Sequence, residues 1–162
     1  MHRWLGFMKQ DNVIFVTHVN PLRAFSGIKY MCDALTDNGV VVDLWAIIPR
    51  DLMRETTGWK FGVRSFLDSW YGRVPKFRDL MIHLHIIILC IFVYDIIIFN
   101  DLKYFKSLVS IRKLFSKKKL IHYCTELFEE NEVPLDYYKK NADIPDLIID
   151  VEPNRGAIRK KW

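Results

Sequence analysis

Val13–Ile48 reads VIFVTHVNPLRAFSGIKYMCDALTDNGVVVDLWAII, and its punctuation decides the fold. Val13–His18 is a β-branched apolar run bounded by polar residues, the pattern of a buried strand. After a loop at Val19–Phe25, Ser26 stands where it can cap a helix. The apolar positions of that helix, Ile28, Met31, Cys32 and Leu35, recur at three- and four-residue spacing. Asn38-Gly39 ends it, since glycine enters a left-handed cap without a Cβ penalty. Val40–Ile48 is a second buried run, apolar apart from Asp43 and closed by Pro49. Strand, helix and strand in this order predict a crossover unit in a parallel sheet.

The alternation continues downstream. A helix is expected from Phe77 to about Phe92, then a strand at Asp95–Phe99 that stops at Asn100-Asp101. Asp101 is placed to cap a helix with the apolar face Tyr104, Phe105, Leu108, Ile111 and Phe115. Leu120–Cys124 reads as a strand, Tyr137–Asn141 as a short helix and Leu147–Asp150 as a fifth strand. Pro153 suits the start of a last helix, Asn154–Trp162, which is too short to be comfortable alone. The expected architecture is an α/β, Rossmann-like parallel sheet with helices on both faces. It forms one domain over 1–162 that reads as truncated or split from a larger molecule.

Composition sets the bounds. A chain of 162 residues that is 51% apolar and 14% aromatic can bury a sizeable core, which excludes a disordered or low-complexity class. Net charge is +5, and Arg50–Arg78 holds seven basic residues against three acidic ones, so this segment carries most of the excess. Trp59, Phe61, Phe66, Trp70 and Tyr71 are interleaved there. The segment reads either as a loop plus short helix packed on its own domain or as an anchor on an anionic membrane surface. Lys117–Lys119 closes a helix, where the dipole favours cations, so nucleic-acid binding is not expected. Three cysteines without C-x-x-C spacing, and an N-terminus without an apolar signal core, point to reduced thiols and a cytoplasmic, at most membrane-peripheral, location. Leu80–Phe99 approaches the length of a bilayer span, but His83, His85 and Asp95 interrupt it. A buried helix running into a buried strand is the reading adopted.

No G-x-x-x-x-G-K, G-x-G-x-x-G or G-x-S-x-G motif is present, which disfavours the usual nucleotide-binding and serine-hydrolase routes. His83 and His85 share a face only in a strand, so a metal site there is not expected. In an open parallel sheet, ligands gather beyond the carboxyl ends of the strands. The residues expected there are His18 and Asn20, Asn100 and Asp101, Thr125 and Glu126, and Glu152 and Asn154. Asp101 serves equally as a helix cap.

Four stretches carry a resemblance. Val13–Ile47 resembles the opening β-α-β of the N-terminal domain of GT-B glycosyltransferases of the family-four type. DIIIFND (Asp95–Asp101) is similar to the strand and loop those enzymes use next. IHYCTELF (Ile121–Phe128) resembles their strand and "HELF" segment, and ADIPDLIIDVEPNR (Ala142–Arg155) the strand and helix start that follow. The likeness runs from Val13 to Arg159, with Arg50–Lys76 divergent. It implies transfer of a sugar from a nucleotide-sugar donor to a glycan or lipid-linked acceptor, without metal or further cofactor.

By the same likeness Ser26 and Gly27 approach the interdomain cleft, while Asn100, Asp101 and Glu126 line the acceptor side. Asp101 or Glu126 would orient or deprotonate an acceptor hydroxyl. Two departures stand out: Asn100 replaces a histidine common in relatives, and Tyr123-Cys124-Thr125-Glu126 replaces their Asp-x-His-Glu. The family's donor-binding motifs belong to a C-terminal domain that this sequence does not contain. Activity is therefore expected to need a second Rossmann-like domain or subunit. The alternative is a non-catalytic membrane-recruiting or binding subunit of the same architecture.

Overall fold

The computed structural model describes residues 12–17, 26–68, 77–100, 108–115, 117–124, 140–141 and 143–150. Six parallel strands form one sheet: β1 Asn12–Val16, β2 Val41–Ala46, β3 Gly62–Ser65, β4 Ile96–Phe99, β5 Lys119–Cys124 and β6 Leu147–Asp150. Their spatial order is β3-β2-β1-β4-β5-β6, the doubly wound order of a Rossmann-like α/β fold. The chain builds β1, β2 and β3 outward in one direction, then returns to place β4 on the other side of β1. That reversal makes the β1/β4 boundary the topological switch point.

Period-2 alternation sorts the strand residues onto two cores. On one face Ile14, Val16, Trp45, Ile97, Phe99 and Leu120 meet helix α2 (Arg78–Phe92) through Ile82, Ile86, Leu89 and Cys90. On the other, Val13, Phe15, Val42, Leu44 and Ile98 meet helix α1 (Ser26–Asp37) through Ile28 and Cys32. Helices therefore cover both faces. Each fully buried branched or aromatic side chain contributes about 1.5–3 kcal/mol, so the doubly covered centre holds the sheet together. Gly39, at φ +82°, ends α1 as its position after Asn38 requires.

Three expectations change. Arg50–Arg78 is not merely a loop and short helix: it contains β3, flanked by 3-10 turns at Met53–Thr56 and Phe66–Asp68. Of its aromatic rings, Phe66 and Phe61 are buried and Trp59 is partly buried, while Trp70 and Tyr71 lie outside the described residues. Lys119 begins β5 rather than closing a helix. Lys118 reaches the Asp95 carboxylate at 3.2 Å, and Arg112 reaches Asp146 at 2.8 Å. The amino edge of the sheet, not a helix dipole, accounts for these cations. Finally, β1 and β2 are shorter than Val13–His18 and Val40–Ile48.

Leu80–Phe99 resolves as a helix running into a strand. The helix ends at Phe92, and the Val93 and Tyr94 amides both close on the Leu89 carbonyl. Among the described residues no helix is long and apolar enough to cross a membrane.

Candidate functional site

The register Val16↔Phe99 brings β1 and β4 to the same height at their carboxyl ends, and one residue further on lie Thr17 and Asn100. The Thr17 amide still donates to the Trp45 carbonyl at 3.0 Å, so the β1 ladder runs on to that point. Alternation carried this one step puts Thr17 and Asn100 on the α1 side of the sheet, where the N-terminus of α1 begins at Ser26.

Asn100 is the most informative side chain of the edge. It is 2% exposed, yet neither Oδ1 nor Nδ2 has a hydrogen-bond partner among the described residues. A buried amide without partners costs about 1–3 kcal/mol, and native folds keep few of them. Asn100 thus presents an unused donor and an unused acceptor, among the described residues, at the switch point.

Tyr123, on β5, supplies the neighbouring wall. Its ring meets Phe15 edge-on at 5.9 Å, and its hydroxyl lies 3.2 Å from where a Cβ on Gly27 would stand. Glycine there lets the start of α1 approach the sheet closely. Burial pushes the Tyr123 phenol upward, with Cys32 adding to the shift, so the hydroxyl stays a neutral donor and acceptor. On the opposite face His122, also buried, stacks on Phe99 at 4.8 Å with nearly parallel planes.

Further along the same edge the loop after β2 is pinned to β3. Ser65 Oγ donates to the Ile48 carbonyl at 2.6 Å and accepts from the Ile48 and Leu67 amides. An open cleft of about 320 Å³ lies here between Trp45, Met53, Arg64, Ser65 and Asp68. Arg50 pairs with Asp68 at 2.8 Å beside it. Beneath it Trp45, Phe66 and His85 form a ring cluster, with Trp45 and His85 4.6 Å apart and edge-on. Burial lowers the His85 pKa, as expected for an imidazole packed among rings.

Of the residues singled out from sequence, Asn100, Gly27 and the backbone of Ser26 fall at this carboxyl edge. His18, Asn20, Asp101, Thr125, Glu126, Glu152 and Asn154 lie outside the described residues. Thr17, His122 and Tyr123 were passed over because they sit inside apolar strand runs. Their polarity near a strand's carboxyl end was the available signal. No cluster of metal-ligating side chains occurs among the described residues. The described edge offers the Asn100 amide, the Tyr123 hydroxyl and aromatic walls.

No protein-family model matches the chain, and no curated protein matches it by sequence. Among the solved structures that match are two described as glycosyltransferases. The glycotransferase of kitacinnamycin matches with a TM-score of 0.51 at 10% identity, over 95% of this chain and 39% of that one. The likeness is one of fold. The calicheamicin glycosyltransferase CalG4 matches with a TM-score of 0.45 at 11% identity, over 83% of this chain and 38% of that one. The chain thus spans under two-fifths of the length of either structure.

Proposed function

We propose that the chain is the acceptor-side Rossmann-like half of a GT-B glycosyltransferase of the family-four type. In this reading it holds a glycan or lipid-linked acceptor at the carboxyl edge. A second Rossmann-like domain, on the same or another polypeptide, brings the nucleotide-sugar donor. The observation that carries the reading is the buried Asn100 amide at the β1/β4 switch point, which has no partner among the described residues. Ligands of open α/β sheets bind at that place. The fold likeness to glycosyltransferases and the order of the four sequence stretches support the same choice.

The described residues orient and recognise rather than carry out the proton transfer. Asn100 presents a carbonyl acceptor and an NH2 donor, which suits adjacent sugar hydroxyls, and the Tyr123 hydroxyl adds a neutral partner. Glu126 or Asp101 is the proposed carboxylate that orients or deprotonates the attacking hydroxyl. The test is transfer of labelled sugar from a panel of nucleotide sugars to extracted glycans and lipid-linked saccharides, using the chain together with its donor-binding half. Transfer that falls on replacing Glu126→Gln supports the assignment, and unchanged turnover removes Glu126 from it. No transfer from any donor to any acceptor in the panel would count against the function itself.

A further inference from the structure

Helix α2 has two apolar sides and only one of them is used. Ile82, Ile86, Leu89 and Cys90 are buried against the sheet. Leu80, Leu84, Ile88 and Phe92 recur every fourth residue on the other side, and Phe92 is 77% exposed. After Asp79 no charged residue interrupts the helix through Phe92. A surface helix ordinarily carries its polar residues on this outer face, and an uninterrupted apolar ridge marks a surface that another phase or partner covers.

The neighbouring chemistry indicates which. The end of α2 leads into β4, and the 3-10 turn Arg112–Phe115 leads into β5. Because these strands are parallel and adjacent, both ends lie at the amino edge of the sheet. The turn Arg112–Phe115 packs against α2 and exposes Leu114 at 65%, while the end of α2 exposes Phe92 and Val93. Arg112 and Lys118 are paired with Asp146 and Asp95, whereas Lys113 and Lys117 have no acidic partner among the described residues. An apolar ridge with lysines near its end that have no acidic partner among the described residues matches the layout of a bilayer interface: hydrocarbon under the rings, phosphates at the ammonium groups.

We propose that the outward face of α2, extended by Leu114, Lys113 and Lys117, docks the protein on a bilayer containing anionic lipid. This surface is separate from the carboxyl edge that holds Asn100, which docking through α2 leaves unused. It does not depend on the sugar-transfer reading, and it is distinct from an anchor in Arg50–Arg78, whose Phe61 and Phe66 point into the cores.

The test is co-sedimentation of the full chain with phosphatidylcholine vesicles, with and without phosphatidylglycerol. Circular dichroism confirms that each variant is folded. Binding is expected only to the anionic vesicles and should weaken with salt. Leu84→Glu with Ile88→Glu should reduce partitioning at least about tenfold, and the milder Ile88→Gln should reduce it by less. Lys113→Glu with Lys117→Glu should weaken binding and flatten its salt dependence. Three results would each overturn the proposal: no pelleting with anionic vesicles, equal pelleting of the Leu84→Glu and Ile88→Glu variant, or a dimer in sedimentation equilibrium that this variant dissociates while vesicle binding is absent. The last would assign the ridge to a second copy of the chain.

Discussion

Replacing Asn100→Leu should make the fold more stable. The side chain is 2% exposed and its two polar atoms have no partner among the described residues. Leaving them so costs about 1–3 kcal/mol. Leucine removes that cost and keeps the branched skeleton, but its methyl ends are bulkier than the amide's, so its about 1.5–3 kcal/mol of apolar burial is roughly offset by about 1–3 kcal/mol of overpacking. The net expectation is a gain of roughly 1–3 kcal/mol. At about 2–4 °C per kcal/mol for a chain of this size, the melting temperature should rise by roughly 2–12 °C. Calorimetry and urea titration both read it, and agreement between them checks two-state behaviour. Asn100→Asp is the control: burial disfavours its charged form and raises its folded pKa, so this variant should lose stability as pH rises above the unfolded carboxyl value near 3.9. A loss of 1 kcal/mol or more in Asn100→Leu would show that the amide is satisfied within the fold, and would remove the main physical reason for placing a ligand there.

Other outcomes follow from the same geometry. Phe66→Ala empties a fully buried position beneath Trp45 and His85 and should cost about 3–5 kcal/mol in urea unfolding. Gly62→Ala would place a Cβ 2.0 Å from Asp43 Oδ1, displacing a carboxylate whose Oδ2 accepts the Tyr94 hydroxyl at 2.6 Å. A loss of about 1–3 kcal/mol is expected, and it should shrink in an Asp43→Ala background, as a double-mutant cycle would show. Burial pushes the Cys32 and Cys90 thiols up to about 12, so neither should react with a disulfide reagent near pH 8 until the protein unfolds. Tyr94 is also raised to about 12, chiefly by burial and then by its bond to Asp43. The folded state then holds protons that the unfolded state releases, so stability should fall as pH climbs from about 9 or 10 toward 12. His85 is lowered, so the stability it contributes is present above its unfolded value near 6.5 and lost as pH falls below it. Melting temperatures across pH read both limbs.

How far the sequence carried the structure depended on whether a signal was local. Val13–Val16, the period of α1 and the Asn38-Gly39 stop are neighbour-to-neighbour patterns, and they were legible. The break between α2 and β4 was legible too, because Asp95 interrupts the apolar run where the fold needs the backbone to turn. Asp95 receives the Lys119 amide through its carbonyl and gives its own amide to the Asn12 carbonyl, joining three strands at the amino edge. Strand β3 was not legible. It is a four-residue edge strand, GVRS, with an exposed arginine and a glycine, and edge strands are kept short and charged against unwanted pairing. Asp43 was visible as the one polar residue in β2, but its partner Tyr94 is 51 positions away. Asn100 was marked from its place after a strand, whereas its burial without a partner among the described residues is a property of the assembled sheet alone.

The proposed sugar transfer is tested most directly by kcat/KM, measured with the chain and the proposed donor-binding half, wild type against Asn100→Leu. If the carboxyl edge at the β1/β4 switch holds the acceptor, kcat/KM should fall by at least about tenfold, since one lost polar contact to substrate costs about 1.4 kcal/mol or more. Unchanged transfer by the variant would place the acceptor elsewhere and contradict the account.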